Sequence, residues 1–122
     1  MQPARTNISS ISPGNLTGGF IDIILLKIIS QGDCYGYSIS KTISNITSQA
    51  WELKEASLYS GLRRLEADKL IRSYWGDETQ GGRRKYYTLT PNGETCLAEN
   101  LEKWAKTKNL VDKILAWEGR AI

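Results

Sequence analysis

The sequence contains no histidine, which removes the commonest general base near neutral pH and the commonest nitrogen ligand for a transition metal. Its two cysteines, Cys34 and Cys96, stand far apart and outside any CxxC pair, so neither a disulfide framework nor a zinc site is expected. Both are read as small core residues. There is no GxSxG elbow, no phosphate loop and no cluster of metal ligands, and no enzyme activity, metal or cofactor is expected. No apolar run reaches the roughly 18 residues of a membrane span. The opening MQPARTNISSISPGN is too polar for a secretion signal, which leads to the expectation of a soluble cytoplasmic protein.

What is present is unevenly placed. At 122 residues the chain has room for one domain and a modest core. The net charge of +3 is small, but residues 54–90 hold all of it. That stretch carries eight cations (Lys54, Arg63, Arg64, Lys69, Arg72, Arg83, Arg84, Lys85) against five anions (Glu55, Glu66, Asp68, Asp77, Glu78), whereas the flanking stretches balance. A local basic surface of this kind suits a polyanion.

Residues 1–15 are rich in Ser, Asn, Pro and Gly without periodicity and read as a mobile tail. LTGGFIDIILLKIIS at 16–30 reads as a helix apolar on nearly every side, which must be covered on nearly every side. YGYSISKTISNI at 35–46 repeats Ile39, Ile43 and Ile46 at helical spacing and makes a second helix. KEASLYSGLRRLEADKL at 54–70 makes a third, with Leu58, Leu62, Leu65 and Lys69 on one side at roughly 100° per residue. The opposite face offers the small Ser57 and Ser60, then Arg63 and Arg64. Lys54 is a weak N-cap. Gly61 costs roughly 1 kcal/mol of helix propensity.

Residues 71–76 and 83–89 read as two strands rich in Ile, Tyr, Trp and Thr, joined by DETQGG into a β-hairpin. Thr90 and Pro91 then supply an N-cap and a first helical position for a last helix reaching about residue 119. Along it Leu97, Leu101, Trp104, Lys108, Val111 and Leu115 recur at intervals of four and three, the seam of a helix pair. Leu110, Ile114 and Trp117 form a second apolar patch on the other side. Such a helix has more surface to bury than this chain supplies, which leads to a homodimer. The order helix, helix, helix, hairpin, helix predicts an α+β, mainly α fold: a winged helix-turn-helix DNA-binding domain at 16–90 and a dimerisation helix at 91–122, with the basic GGRRK ribbon as the wing.

Four stretches, GDCYGYSISK at 32–41, WELKEASLYSGLRRLEADKLI at 51–71, YWGDETQGGRRKYYTLTPNG at 74–93 and LEKW at 101–104, resemble the PadR family of bacterial transcriptional regulators, specifically its short-chain subgroup that includes a lactococcal multidrug-binding repressor. The resemblance implies a winged-helix dimer on double-stranded DNA. It assigns DNA contacts to Tyr37, Ser38 and Lys41 on the second helix, Ser57, Tyr59, Arg63 and Arg64 on the third, and Gly82, Arg83, Arg84 and Lys85 in the wing; Ser60 joins them as a small side chain on the same face. Arg63 has no carboxylate four residues on, whereas Arg64 has Asp68 and reads equally as an ordinary helix pair. Tyr59 and Tyr87 read more readily as packing residues.

The same resemblance implies a small aromatic ligand held at the dimer interface, with Trp104 of both chains around it and Leu16, Gly19, Ile23, Lys27, Asn100 and Lys108 lining the pore. Lys27 and Lys108 together would favour neutral or anionic aromatics, unless a four-residue gap brings Asp112 into register instead. The function expected is therefore a sequence-specific DNA-binding repressor released by a planar aromatic ligand. The competing expectation is a ligand-binding or scaffolding dimer without specific DNA recognition.

Overall fold

The computed structural model describes residues 20–77 and 82–119, so the expected tail at 1–15 lies outside the described residues. Helix α1 spans Ile21–Ser30, β1 is Cys34–Tyr35, α2 is Gly36–Ile46, α3 is Glu55–Ala67, β2 is Ile71–Trp75, β3 is Lys85–Leu89 and α4 is Pro91–Leu115. The fold is mainly helical with one small antiparallel sheet, a winged helix-turn-helix followed by a long C-terminal helix.

The nearly all-round apolarity of α1 is explained by its position. It packs against α2, α3, α4 and β3, and its Leu25, Leu26 and Ile29 are buried together with Ile39 and Ile43 of α2, Leu58, Leu62 and Leu65 of α3, Ile71 of β2 and Tyr87 of β3. Ile46, at the end of the α2 repeat, is 71 % exposed instead. Among the described residues no helix is long and apolar enough to cross a membrane.

Helix α4 ends at Leu115 rather than near residue 119, and three further differences from expectation bear on the site. First, α3 stops at Ala67 rather than at residue 70, because Lys69 takes a left-handed backbone (φ 63°). The Leu70 N–H then donates to the Leu65 carbonyl at 3.0 Å and the Lys69 N–H to the Glu66 carbonyl at 2.9 Å, a paired C-terminal closure of the helix. Lys69 is therefore exposed and does not extend the apolar stripe. Second, the sheet has three strands in the order β1-β3-β2, not a lone hairpin: Cys34 pairs with Tyr87 and Tyr35 with Tyr86, while Ile71 to Trp75 run against Leu89 to Lys85. Third, β3 begins at Lys85, so Arg83 and Arg84 precede the strand. The Thr90 cap forms as expected, its hydroxyl accepting the Gly93 N–H at 3.0 Å with Pro91 in the first turn.

Gly61 has a different role from the one its propensity suggests. It is buried against α1, where an added Cβ would lie 2.7 Å from Leu25 Cδ1. The glycine permits α3 to approach α1 closely, so it belongs to the core side of the helix and not to its outward face.

Candidate nucleic-acid interface

Three elements converge on one groove. Tyr37 projects from the first turn of α2, Tyr59 and Arg63 from α3, and Arg84 and Lys85 from the wing, around a groove of about 510 Å³. Its depth depends on Gly36, the first residue of α2: a Cβ there would overlap the Tyr59 hydroxyl. The third helix is thus seated directly on the start of the second. Tyr37 is 66 % exposed and Tyr59 37 %. Tyr87 by contrast is buried beneath the wing, and that burial raises its phenol pKa above the ordinary value; it packs, as its reading required.

The wing cations are braced by aromatic faces. The Arg84 guanidinium lies 4.7 Å over the Tyr35 ring, Arg83 lies 5.8 Å over Trp75, and the Lys85 ammonium 5.9 Å over Tyr87. Contacts of this kind hold a cation in place without neutralising it. On the outer face of the sheet Tyr74 stacks on Tyr86 at 5.7 Å and Tyr35 meets Tyr86 edge-on at 5.4 Å. The Tyr74 hydroxyl donates to Asp33 at 2.6 Å, a bond that raises the Tyr74 pKa. Tyr35 is the residue sequence reasoning missed: a two-residue strand has no periodicity to reveal it.

The other predicted contacts divide. Lys41, Arg63 and Gly82 to Lys85 are exposed, and Ser57 and Ser60 half-buried. Among the described residues Arg63 has no ion-pair partner. The Ser38 hydroxyl is occupied locally: it accepts the Tyr35 N–H at 3.0 Å and donates to the Tyr35 carbonyl at 2.8 Å, closing the start of α2. Arg64 turns away from the groove. Its guanidinium bonds Asp22 of α1 at 2.5 Å, and this bond, more than the nearby charge of Asp68, raises its pKa. The partner of Arg64 is therefore a residue 42 positions distant rather than Asp68 on its own helix.

A match to the transcriptional regulator PadR-like family covers residues 25–99. The chain belongs to this family. An uncharacterised protein of Lysinibacillus sphaericus is 44 % identical over 94 residues, which are 77 % of this chain and 86 % of that protein. A transcriptional regulator from Clostridium thermocellum is 40 % identical, with a TM-score of 0.75 over 81 % of this chain and 96 % of its own. At the level of fold alone, the chain is also similar to Bacillus subtilis PadR in complex with operator DNA, at 24 % identity and a TM-score of 0.61 over 67 % of this chain and 46 % of that one. A winged helix with a long terminal helix is thus the architecture of PadR-like proteins, and the groove between α2, α3 and the wing is its basic feature here.

The residues predicted around a ligand fall on two clefts of this PadR-like chain that share Ile23 and Trp104. Leu16 and Gly19 lie outside the described residues. Ile23, Lys27 and Trp104 line one apolar groove of about 330 Å³ together with Ile46 and Leu101. Asn100 lies in a second cleft, of about 350 Å³, where its side-chain amide donates to the Cys96 carbonyl at 2.8 Å. Lys108 lines neither groove, and its ammonium is 3.3 Å from Asp112 on the next turn. Lys108 and Asp112 thus form an exposed pair one turn apart on the same helix. Trp104 itself meets Phe20 at 4.5 Å between ring centroids, a contact between residues 84 positions apart that no local pattern in the sequence reveals.

Proposed function

We propose that the chain is a sequence-specific DNA-binding regulator, a cytoplasmic repressor, acting as a two-fold dimer. The observation that carries this reading is the convergence of Arg63, Arg84 and Lys85 with two exposed tyrosines, from three separate elements, on one groove. Arginines serve this task because phosphate neutralisation and counterion release dominate affinity for duplex DNA. Small side chains at Ser57 and Ser60 let α3 approach base edges, and Arg63 reaches guanine or phosphate. The Bacillus subtilis relative seen with operator DNA supports the same use of the fold.

Dimerisation follows from α4. From Leu101 to Gly119 every residue is exposed, and these include Leu101, Trp104, Leu110, Val111, Ile114, Leu115 and Trp117. An apolar row of that length on one chain is covered by a second copy, through the seam Leu101, Trp104, Val111 and Leu115. A two-fold dimer reads two half-sites roughly one helical turn, about 34 Å, apart.

Release would follow a planar aromatic ligand seated between the chains against Trp104, in the manner of the short-chain subgroup, with Ile23 and Lys27 beside it. The test of the DNA reading is selection of bound fragments from random duplexes, read by gel shift at stated salt. A palindrome is expected. Weak binding of all duplexes alike, or a monomer on sedimentation, overturns the reading in favour of a dimer without DNA recognition. For release, planar aromatics should dissociate the wild-type complex and leave a Trp104→Ala complex intact.

A further inference from the structure

Arg84 of the wing is held from both sides. On the β2 side its carbonyl accepts the Gly76 N–H at 2.6 Å, which carries the pairing of β2 and β3 one step past the ends of both strands. On the β1 side its guanidinium lies 4.7 Å over the Tyr35 ring. An arginine without such neighbours samples many rotamers, and ordering it on binding lowers affinity.

The ring beneath Arg84 is itself fixed. Tyr35 stands opposite Tyr86, and Tyr86 opposite Tyr74, so the three side chains form one row across the outer face of the sheet. Tyr35 meets Tyr86 edge-on and Tyr86 stacks on Tyr74, while the Tyr74 hydroxyl donates to Asp33 at 2.6 Å. Asp33 is two residues before Tyr35, so the row closes on the short segment where it begins. The backbone of Tyr35 is tied as well, through its two bonds with the Ser38 hydroxyl in the first turn of α2. The next residue is Gly36, on which Tyr59 of α3 is seated. One residue is thereby joined to the wing by its ring and to α2 and α3 by its backbone.

We propose that Tyr35 is a positioning residue for DNA binding: it holds the Arg84 guanidinium at a fixed place relative to α2 and α3, so that wing and reading helix engage the duplex together. The role rests on the DNA reading of the groove and adds to it a residue that acts through another side chain. An aromatic face suits this task because it orders a cation and leaves its charge intact. A carboxylate at position 35 would order Arg84 too, and would cancel the charge that a phosphate attracts.

A double-mutant cycle on the full chain tests the role, with binding to one duplex measured by fluorescence anisotropy at one salt concentration. Arg84→Ala should weaken binding about tenfold. Tyr35→Leu, which keeps the cation and removes the ring, should weaken it about threefold, and Tyr35→Phe should bind as the wild type does. The double variant Tyr35→Leu with Arg84→Ala should bind no more weakly than Arg84→Ala alone. A merely structural Tyr35 would instead multiply the two losses to about thirtyfold, which overturns the proposal. Equal losses in Tyr35→Phe and Tyr35→Leu would make the hydroxyl a direct DNA contact and overturn it as well. One measurement needs no variant to fold: in NMR spectra of the free wild type the Arg84 side-chain protons should be shifted upfield by the Tyr35 ring, and unshifted protons overturn the brace. Wild-type protein that binds no duplex refutes the DNA reading together with this role, whereas wild-type binding with multiplied losses refutes the role alone.

Discussion

The two halves of α4 carry the same kind of apolar spacing and have opposite fates. In the first half Gly93 and Leu97 are buried against the winged domain; in the second every residue from Leu101 to Leu115 is exposed, including Leu115 at 78 % and Ile114 at 68 %. Periodicity alone says that a helix face is to be covered and does not say by what. The first half is covered by its own chain, because α1 and β3 lie alongside it, and the second runs past the end of that domain.

The largest expected effect tests the covered side. Leu65→Ala, at a site 1 % exposed, should cost about 3 kcal/mol of folding stability in urea denaturation, whereas Leu115→Ala should leave the unfolding of the winged domain within about 0.5 kcal/mol. Next is the uncovered side: Val111→Asp should weaken self-association by about 2 kcal/mol or more, read by sedimentation equilibrium, with helical content of the monomer retained. A fold lost in step with the dimer would show that the two halves are a single cooperative unit.

The third comparison sets two neighbouring arginines against each other. Arg63→Ala, like Arg84→Ala, should lower DNA affinity about tenfold and reduce the salt slope by about one. Arg64→Ala should do markedly less, because its guanidinium is engaged with Asp22. Equal losses at 63 and 64 would place both on the DNA. Gly61→Ala separates backbone from packing: helix propensity favours alanine by about 1 kcal/mol, yet the Cβ would press on Leu25, which is fully buried. A net loss of about 1 kcal/mol is expected, and a gain would show that the α1–α3 contact yields.

The smallest effect concerns pH. Burial, reinforced by Asp33, raises the Cys34 thiol from its ordinary 9.0 to about 11. The folded state holds this proton more tightly than the unfolded chain, so the contribution is complete below pH 9.0, declines as the pH rises above it and is lost near 11. Replacing Cys34 with alanine should flatten that part of the stability profile; an unchanged slope would assign it to the tyrosines.

Much of the architecture was legible in advance. The isoleucine and leucine repeats of α2 and α3, the Thr90–Pro91 start of α4 and the concentration of positive charge in residues 54–90 are local properties, and local properties survive folding because the backbone responds to its near neighbours. The exposure of Arg63 and of the wing cations was legible for the same reason. What was not legible depends on residues distant in the chain. Strand β1 exists only because β3 passes beside it, the partner of Arg64 comes from α1, and Asn100 joins Ile23 and Trp104 in one cleft while Lys27 joins them in another.

By itself the sequence determined where the four helices and the hairpin lie to within a few residues, and on which stretch the positive charge falls, since propensity, capping and periodicity act over a few residues. Only the tertiary structure decided which cations stay free and which are tied, and on which side of Trp104 each polar group stands. Those outcomes are set by the packing of α1 among three other helices, through distances that no short window of sequence contains.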